Sequence, residues 1–328
     1  MQKEIVKEFS AGNFEGYGGG NIEHIQTALS NIFIDGDLVY KICKDDYEVF
    51  NKIYFDLSKK ENRHTFTTKD FRWNNEINSD VYSELKGVKF QDKKLVFTKL
   101  SEDPDELVII MNKIDMSDSV FLKLLNTVLS PSDLYSIGAQ LAEMDNDLIP
   151  KETFFSNPYE DFLDMTKDTI GWLELNKKYI PEDEAFEYVS FLTKFAKTNE
   201  SELKALGAES MGVGIDGHSE NALFSESKLL LIDTYPPKKE WRHKYKHINA
   251  YRLGSDIFAL QGKAAYLEFV RGYESAAKES LNPEFEKAYV LYAACVMCPY
   301  LYILGENDPV RLEAAKKYHE FLKTYLPA

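Results

Sequence analysis

Asp216-Gly217-His218-Ser219-Glu220-Asn221 sets a carboxylate and a side-chain amide five positions apart, and the apolar run Leu229–Ile232 downstream ends on a second carboxylate, Asp233. Phosphoryl transfer uses such a set. One Asp in a loop orients and deprotonates the acceptor hydroxyl, the Asn binds Mg²⁺, and the second Asp holds the same metals. The runs Ala222–Phe224 and Leu229–Ile232, joined by the turn Ser225-Glu226-Ser227-Lys228, predict a hairpin that brings the three groups together. Oxygen donors at that spacing suit hard Mg²⁺, which keeps several waters and takes other ligands from substrate phosphates. The same chemistry needs a cation for the nucleotide's phosphates, and Lys41 in Val39-Tyr40-Lys41-Ile42 sits on an apolar strand pattern that can supply it.

The elements that must position these groups change character near residue 112. Before it the chain reads as strands, at Asn21–Gln26, Asn31–Ile34 and Leu38–Cys43, the last two joined across Asp35-Gly36-Asp37. A helix is predicted over Thr67–Asn78, then a hairpin of Gly87–Phe90 and Leu95–Leu100 around Gln91-Asp92-Lys93-Lys94, and a strand at Val108–Lys113. After residue 112 the pattern is helical. Ser130-Pro131-Ser132-Asp133 opens a helix to about Asp145, and others are predicted at Tyr159–Glu174, Glu182–Lys197, Ser255–Ser275, Pro283–Tyr302 and Pro309–Tyr325. A short β island, Met211–Gly214 with the hairpin above, interrupts them. The expected fold class is α+β in two lobes, a strand-rich N-lobe over 1–112 and a mainly helical C-lobe over 113–328.

Composition bounds the function. The 328 residues carry 39 Lys+Arg against 54 Asp+Glu, a net charge of −15 with 44% hydrophobic residues, so a soluble chain with real cores is expected and a broad cationic field for nucleic acid is not. The segment Met1–Phe9 alternates charges without an apolar core and reads as neither signal peptide nor membrane anchor. Three cysteines do not make a disulfide framework, which points to a cytoplasmic protein. Ala288–Gly305 runs eighteen residues without a charge, yet its four tyrosines and Pro299 suit a buried core helix better than a membrane span. Cys295 and Cys298 within it form a lone CxxC with no second ligand pair for zinc.

The ordered set resembles the aminoglycoside phosphotransferase and choline kinase-like branch of the protein kinase-like fold. Gly214-Ile215-Asp216-Gly217-His218-Ser219-Glu220-Asn221 is similar to that branch's H-G-D-L-H-x-x-N-I loop. Leu231-Ile232-Asp233 is similar to its metal motif, and Phe33–Ile42 to a stretch ending in G-D-x-x-Y-K-I. The resemblance implies an ATP- and Mg²⁺-dependent phosphotransferase that binds nucleotide and a small hydroxylated substrate. Asp216 would be the catalytic base, Asn221 and Asp233 the metal ligands, and Lys41 the phosphate clamp, paired with Asp70 or Glu76. The loop's first His is Gly214 here. In the family that His supports loop geometry, so the alternative is a pseudokinase that binds nucleotide or a protein partner without turnover; transfer of AMP on the same scaffold is a third reading.

Gly16-Tyr17-Gly18-Gly19-Gly20 lacks GxGxxG and reads as a flexible lead-in, so the nucleotide-covering turn is placed at Thr27-Ala28-Leu29-Ser30, where backbone N–H groups and hydroxyls can meet phosphate. The stretch Pro236–His247 carries five Lys/Arg against one acid, a cationic island for an anionic acceptor or a solvated charged loop. His218 is a candidate supporting residue or acceptor contact. His243 and His247 lack the glutamate of HExxH, and no nucleophile elbow, Walker A or dinucleotide fingerprint is present.

Overall fold

The computed structural model describes residues 2–27, 29–47, 51, 55–92, 94–148, 157–206, 210–236 and 239–326, the side chains of 239 and 240 excepted. The chain forms two compact units, Met1–Met116 with Leu231–Lys238, and Ser117–Leu230 with Lys239–Ala328. Asp233, expected with the C-terminal part, therefore clusters with the first unit, and the expected boundary at 112 falls inside that unit.

The first unit is built on an antiparallel six-stranded sheet in the order β1-β2-β3-β6-β4-β5: β1 (Glu23–Gln26), β2 (Ser30–Asp35), β3 (Leu38–Cys43), β4 (Tyr82–Gln91), β5 (Lys94–Thr98) and β6 (Glu106–Asn112). The hairpin β2–β3 turns at Gly36, whose φ of 59° is the left-handed conformation glycine adopts without strain. Strand β4 is longer than the expected Gly87–Phe90; its first half, Tyr82–Lys86, pairs with β6 through a register shift between Tyr82 and Glu84 that blurs the alternation. Strand β6 lies between β3 and β4 and buries both faces. Val108 and Ile110 join the core formed with α1 (Gln2–Ser10), whereas Ile109 and Met111 meet Phe71 of α2 (Lys60–Ile77). Helix α1, which the sequence reading did not predict, docks through Ile5 and Phe9, one turn apart and fully buried.

The second unit contains α3 (Val120–Leu125), α4 (Pro131–Asp147), α5 (Pro158–Glu174), α6 (Glu182–Thr198), α7 (Glu200–Ala205), α8 (Lys239–Arg242), α9 (Ile248–Gln261), α10 (Lys263–Ala276), α11 (Pro283–Gly305) and α12 (Pro309–Tyr325). Helix α4 starts on a capping box, Ser130 and Asp133 exchanging backbone N–H bonds at 3.2 and 2.9 Å, with Pro131 at its first turn. The expected helix Ser255–Ser275 is two helices, because Gly262 takes φ 86° and ends α9. Helix α11 is a core helix. In its most apolar eighteen-residue window 78% is buried inside the fold, including Cys295 and Cys298, whose thiols burial keeps protonated. Two small antiparallel pairs complete the set, β7 (Met211–Val213) with β10 (His243–Tyr245), and β8 (Ala222–Ser225) with β9 (Lys228–Leu231). The β8–β9 turn places Glu226 and Ser227 at φ 50° and 62°, the primed geometry that matches strand twist.

Candidate active site

In the first unit, Tyr40 and Ile42 point into the α1-side core, so the period of two sends Lys41 to the opposite face, toward α2. The buried stripe of α2 is polar: Arg63, Thr67, Asp70 and Asn74 recur at helical spacing. Lys41 Nζ meets Asp70 Oδ2 at 3.1 Å and Asp233 Oδ1 at 2.5 Å, with side-chain exposures of 11% for Lys41, 5% for Asp70 and 58% for Asp233. Burial alone would lower the Lys41 pKa, but the two carboxylates outweigh it and hold the ammonium charged well above its usual range. Glu76, the alternative partner, is exposed on α2, six residues on and roughly 240° around the helix from Asp70. Asp233 has φ 51°, and its N–H donates to the Tyr82 hydroxyl at 2.8 Å. Thr234, next in the chain, gives its N–H and hydroxyl to Asn74 Oδ1 at 2.8 and 2.9 Å, and Tyr235 packs edge-on against Phe66 and Trp73.

Thr27 and Ser30 flank the β1–β2 turn. The Ser30 N–H donates to Thr27 Oγ1 at 3.0 Å, the Thr27 N–H returns to the Ser30 carbonyl at 2.9 Å, and Lys44 Nζ reaches the Thr27 carbonyl at 2.9 Å. The Thr27 hydroxyl is thus engaged in closing the turn; Ala28 lies outside the described residues. In the glycine run, the Gly18 N–H donates to Asp35 at 3.1 Å.

In the second unit the loop Asp216–Asn221 is held by one face of α9. Asn249, Arg252 and Asp256, at positions i, i+3 and i+7, meet the chain in order. Asn249 accepts the Ile215 N–H at 3.0 Å and donates to the Val213 carbonyl at 2.9 Å. Arg252 Nη2 donates to Asp216 Oδ1 at 2.7 Å, and Asp256 accepts the Ser219 N–H at 2.6 Å. Asp256 is fully buried and also accepts the Tyr318 hydroxyl from α12, while Arg311 of α12 binds Glu220 at 2.7 Å. Asn221 closes the loop on itself, its Nδ2 donating to the Asp216 carbonyl at 2.8 Å. Burial pushes the Asp216 carboxyl upward, but the Arg252 guanidinium outweighs it and holds the pKa below the usual carboxylate value. The His218 ring is buried, with Nδ1 unpartnered among the described residues.

Gly214 occupies a place with no room for a side chain: a Cβ there would lie 2.5 Å from the Trp241 carbonyl oxygen and 2.8 Å from Lys244 Cγ. Its N–H donates to the Arg242 carbonyl at 2.8 Å, continuing the β7–β10 ladder. The expected cationic island is largely folded into that ladder. Lys244 forms a buried ion pair with Asp161 at 2.6 Å, Lys246 pairs with Glu279, and His243 and His247 are buried. Pro237 and Lys238 lie outside the described residues.

The Asp233 carboxylate, more than half exposed with Lys41 at one oxygen, offers the hard oxygen donors that a magnesium ion takes. Sequence reasoning missed Asn74, Tyr82, Arg252 and Asp256. For Asn74, Arg252 and Asp256 the signal was the helical spacing of polar residues, Asp70/Asn74 on α2 and Asn249/Arg252/Asp256 on α9, in stretches that otherwise bury themselves.

Among solved structures the chain is similar to a choline/ethanolamine kinase family protein from Mesorhizobium loti, with 16% identity over 100% of this chain and 95% of that one and a TM-score of 0.52. It is also similar to a choline kinase from Cryptosporidium parvum, with 11% identity over 100% and 98% and a TM-score of 0.52. The chain has the protein kinase-like fold of the aminoglycoside phosphotransferases and choline kinases. A third similar structure is a thermostable mutant of an aminoglycoside phosphotransferase in a ternary complex with ADP and hygromycin B, with 9% identity over 100% and 99% and a TM-score of 0.52. No family model matches the sequence, and no curated protein matches it.

Proposed function

We propose that the chain is a phosphotransferase that moves the γ-phosphoryl group of ATP to a hydroxyl of a small-molecule acceptor. The observation that carries this reading is the ammonium of Lys41 held between Asp70 and Asp233, in a chain whose Asp216–Asn221 loop is clamped at its backbone. In this reading the acceptor oxygen bonds to the γ-phosphorus as the bond to the ADP oxygen breaks, and the hydroxyl proton passes to the Asp216 carboxylate. Arg252 favours the ionised form of Asp216, which must be present to accept that proton. Lys41 offers its charge to the nucleotide's phosphates, with Asp70 keeping the ammonium in place. Asp233 and Asn221 would hold Mg²⁺, which when bound neutralises charge on the phosphates. Thr27 and Ser30 would cover the nucleotide from the β1–β2 turn. The neighbours with ADP, hygromycin B, glucosamine or choline in their names support nucleotide and small hydroxylated partners at the level of the fold.

The reading without turnover drew on the loss of the loop histidine and on the missing glycine-rich phosphate loop. The contacts of Gly214 supply another support for the loop, the backbone of Trp241–Arg242 packed directly against it. The test is calorimetric titration of ATP with and without Mg²⁺, followed by ADP release with a panel of hydroxylated acceptors. Metal-dependent binding that Asp233→Ala removes, and transfer that Asp216→Ala removes while binding persists, are expected. Binding without transfer to any acceptor or to water selects the non-catalytic reading, and a product carrying an AMP mass selects nucleotidyl transfer.

A further inference from the structure

Asn74 is fully buried on α2, and both its polar atoms are engaged twice. Its Nδ2 donates to Asp70 Oδ1 at 2.7 Å and to the Asp70 carbonyl at 3.0 Å; its Oδ1 accepts the Thr234 N–H and hydroxyl. With the two bonds from Lys41 to Asp70 and Asp233, this closes a ring: ammonium, carboxylate, amide, threonine, and the carboxylate beside that threonine. A primary amide suits its place in the ring, because it donates to a carboxylate on one side and accepts from N–H and O–H donors on the other.

We propose that Asn74 is a positioning residue that seats Asp233 for a metal-bound nucleotide, acting through Thr234. The inference rests on the phosphotransferase reading and deepens it. Asp233 is the residue in need of support: φ 51° is a left-handed conformation that non-glycine residues keep only when their surroundings over-determine it. Bonds on both sides supply that: Tyr82 takes the N–H of Asp233 itself, and Asn74 takes the N–H of the next residue. Arriving phosphates compete for the Lys41 ammonium, and the ring then opens at Lys41. The Asn74–Thr234 bonds do not involve that ammonium, so they hold the Asp233 backbone while its carboxylate changes partner.

The test uses the full chain, ATP as probe, and the ratio of affinities with and without Mg²⁺. Asn74→Leu removes both sides of the bridge, and Thr234→Val removes only the hydroxyl bond without changing shape. Asn74→Leu is expected to reduce the Mg²⁺-dependent gain about tenfold or more, as supporting partners of metal ligands do. Thr234→Val is expected to reduce it roughly threefold, the worth of one neutral hydrogen bond. The double variant should be no worse than Asn74→Leu, and hydrogen exchange at the Thr234 amide should quicken in Asn74→Leu before any ligand is added. If Asn74→Leu does not fold, Thr234→Val decides. Folded variants that keep the wild-type gain, while Asp233→Ala loses it, overturn this inference alone. Wild-type protein that shows no Mg²⁺-dependent gain overturns the phosphotransferase reading and this inference together.

Discussion

The two units hold their candidate carboxylates by different means. In the first, Asp233 is fixed by side chains drawn from distant parts of the chain: Lys41, Tyr82 and, through Thr234, Asn74. In the second, the loop around Asp216 is fixed at its backbone by one helix face, with Arg252 bonded to the carboxylate. An ammonium is a compact charge with three rotatable donors and can divide itself between two acids or pass to a phosphate. Backbone bonds from Asn249 and Asp256 have no such freedom. The first arrangement suits a group that must change partner during a cycle, and the second suits a group that must stay where it is.

Breaking the shared cation should have the largest effect. Lys41→Met keeps much of the stem but leaves Asp70, 5% exposed, without its counter-ion, and such a loss costs about 3–5 kcal/mol. Chemical denaturation should show that drop, and adding Asp70→Asn should restore most of the stability without restoring ATP binding. Stability that stays low in the double variant would mean that Lys41 contributes packing rather than charge.

The backbone clamp of the second unit is tested next by Gly214→His, which restores the residue type seen in the similar loop. The neighbour at 2.5 Å is a main-chain oxygen that cannot rotate away, so overpacking should cost about 1–3 kcal/mol and open the β7–β10 ladder. Hydrogen exchange at Gly214 and Lys244 reads the opening directly. A variant as stable as wild type would show that β10 is not held against the loop. Asp256→Asn should follow at about 1.5 kcal/mol, because an amide accepts from only one of the two donors, the Ser219 N–H and the Tyr318 hydroxyl. Exchange should then quicken in Asp216–Asn221 and leave Asp233 and Thr234 unchanged.

What was legible in the sequence divides along the same line. The hairpin β2–β3, the start of α4 and the turn between β8 and β9 were readable because local residues decide them: Gly36 at positive φ, Ser130 with Asp133, and a short polar link between apolar runs. The order Lys41, Asp216, Asn221, Asp233 suggested the proposed site because their types and spacing suit phosphoryl transfer. The supporting residues were not, since a buried Asn74 or Asp256 is indistinguishable by type from a surface residue until a partner far along the chain is known. Helix α1 hid behind its charges, with few apolar residues to mark it, and the break at Gly262 hid because one glycine inside a helical pattern is usually tolerated. Gly214 looked like a defect in a motif and is a steric requirement of β10.

The smallest effect should be the most diagnostic of the contrast between the two cations. Arg252 keeps the Asp216 pKa below the usual carboxylate value against the opposing effect of burial. Arg252→Met removes the guanidinium and leaves burial, so the pKa should rise. The proposed transfer requires the ionised carboxylate, so on that reading the rate should be lost on the acidic side, and that acidic limb should move to higher pH in the variant while the plateau at high pH changes little. The sign for stability follows the same way. A depressed carboxyl contributes stability that is present above the usual Asp pKa and is lost as pH falls through the depressed value, so Arg252→Met should also flatten the acid side of the stability profile. Both curves come from one set of samples, ADP release and thermal melting across pH. A limb that does not move would assign the Arg252–Asp216 contact to orientation alone, and the second unit would then hold its carboxylate as it holds its backbone, by geometry rather than by charge.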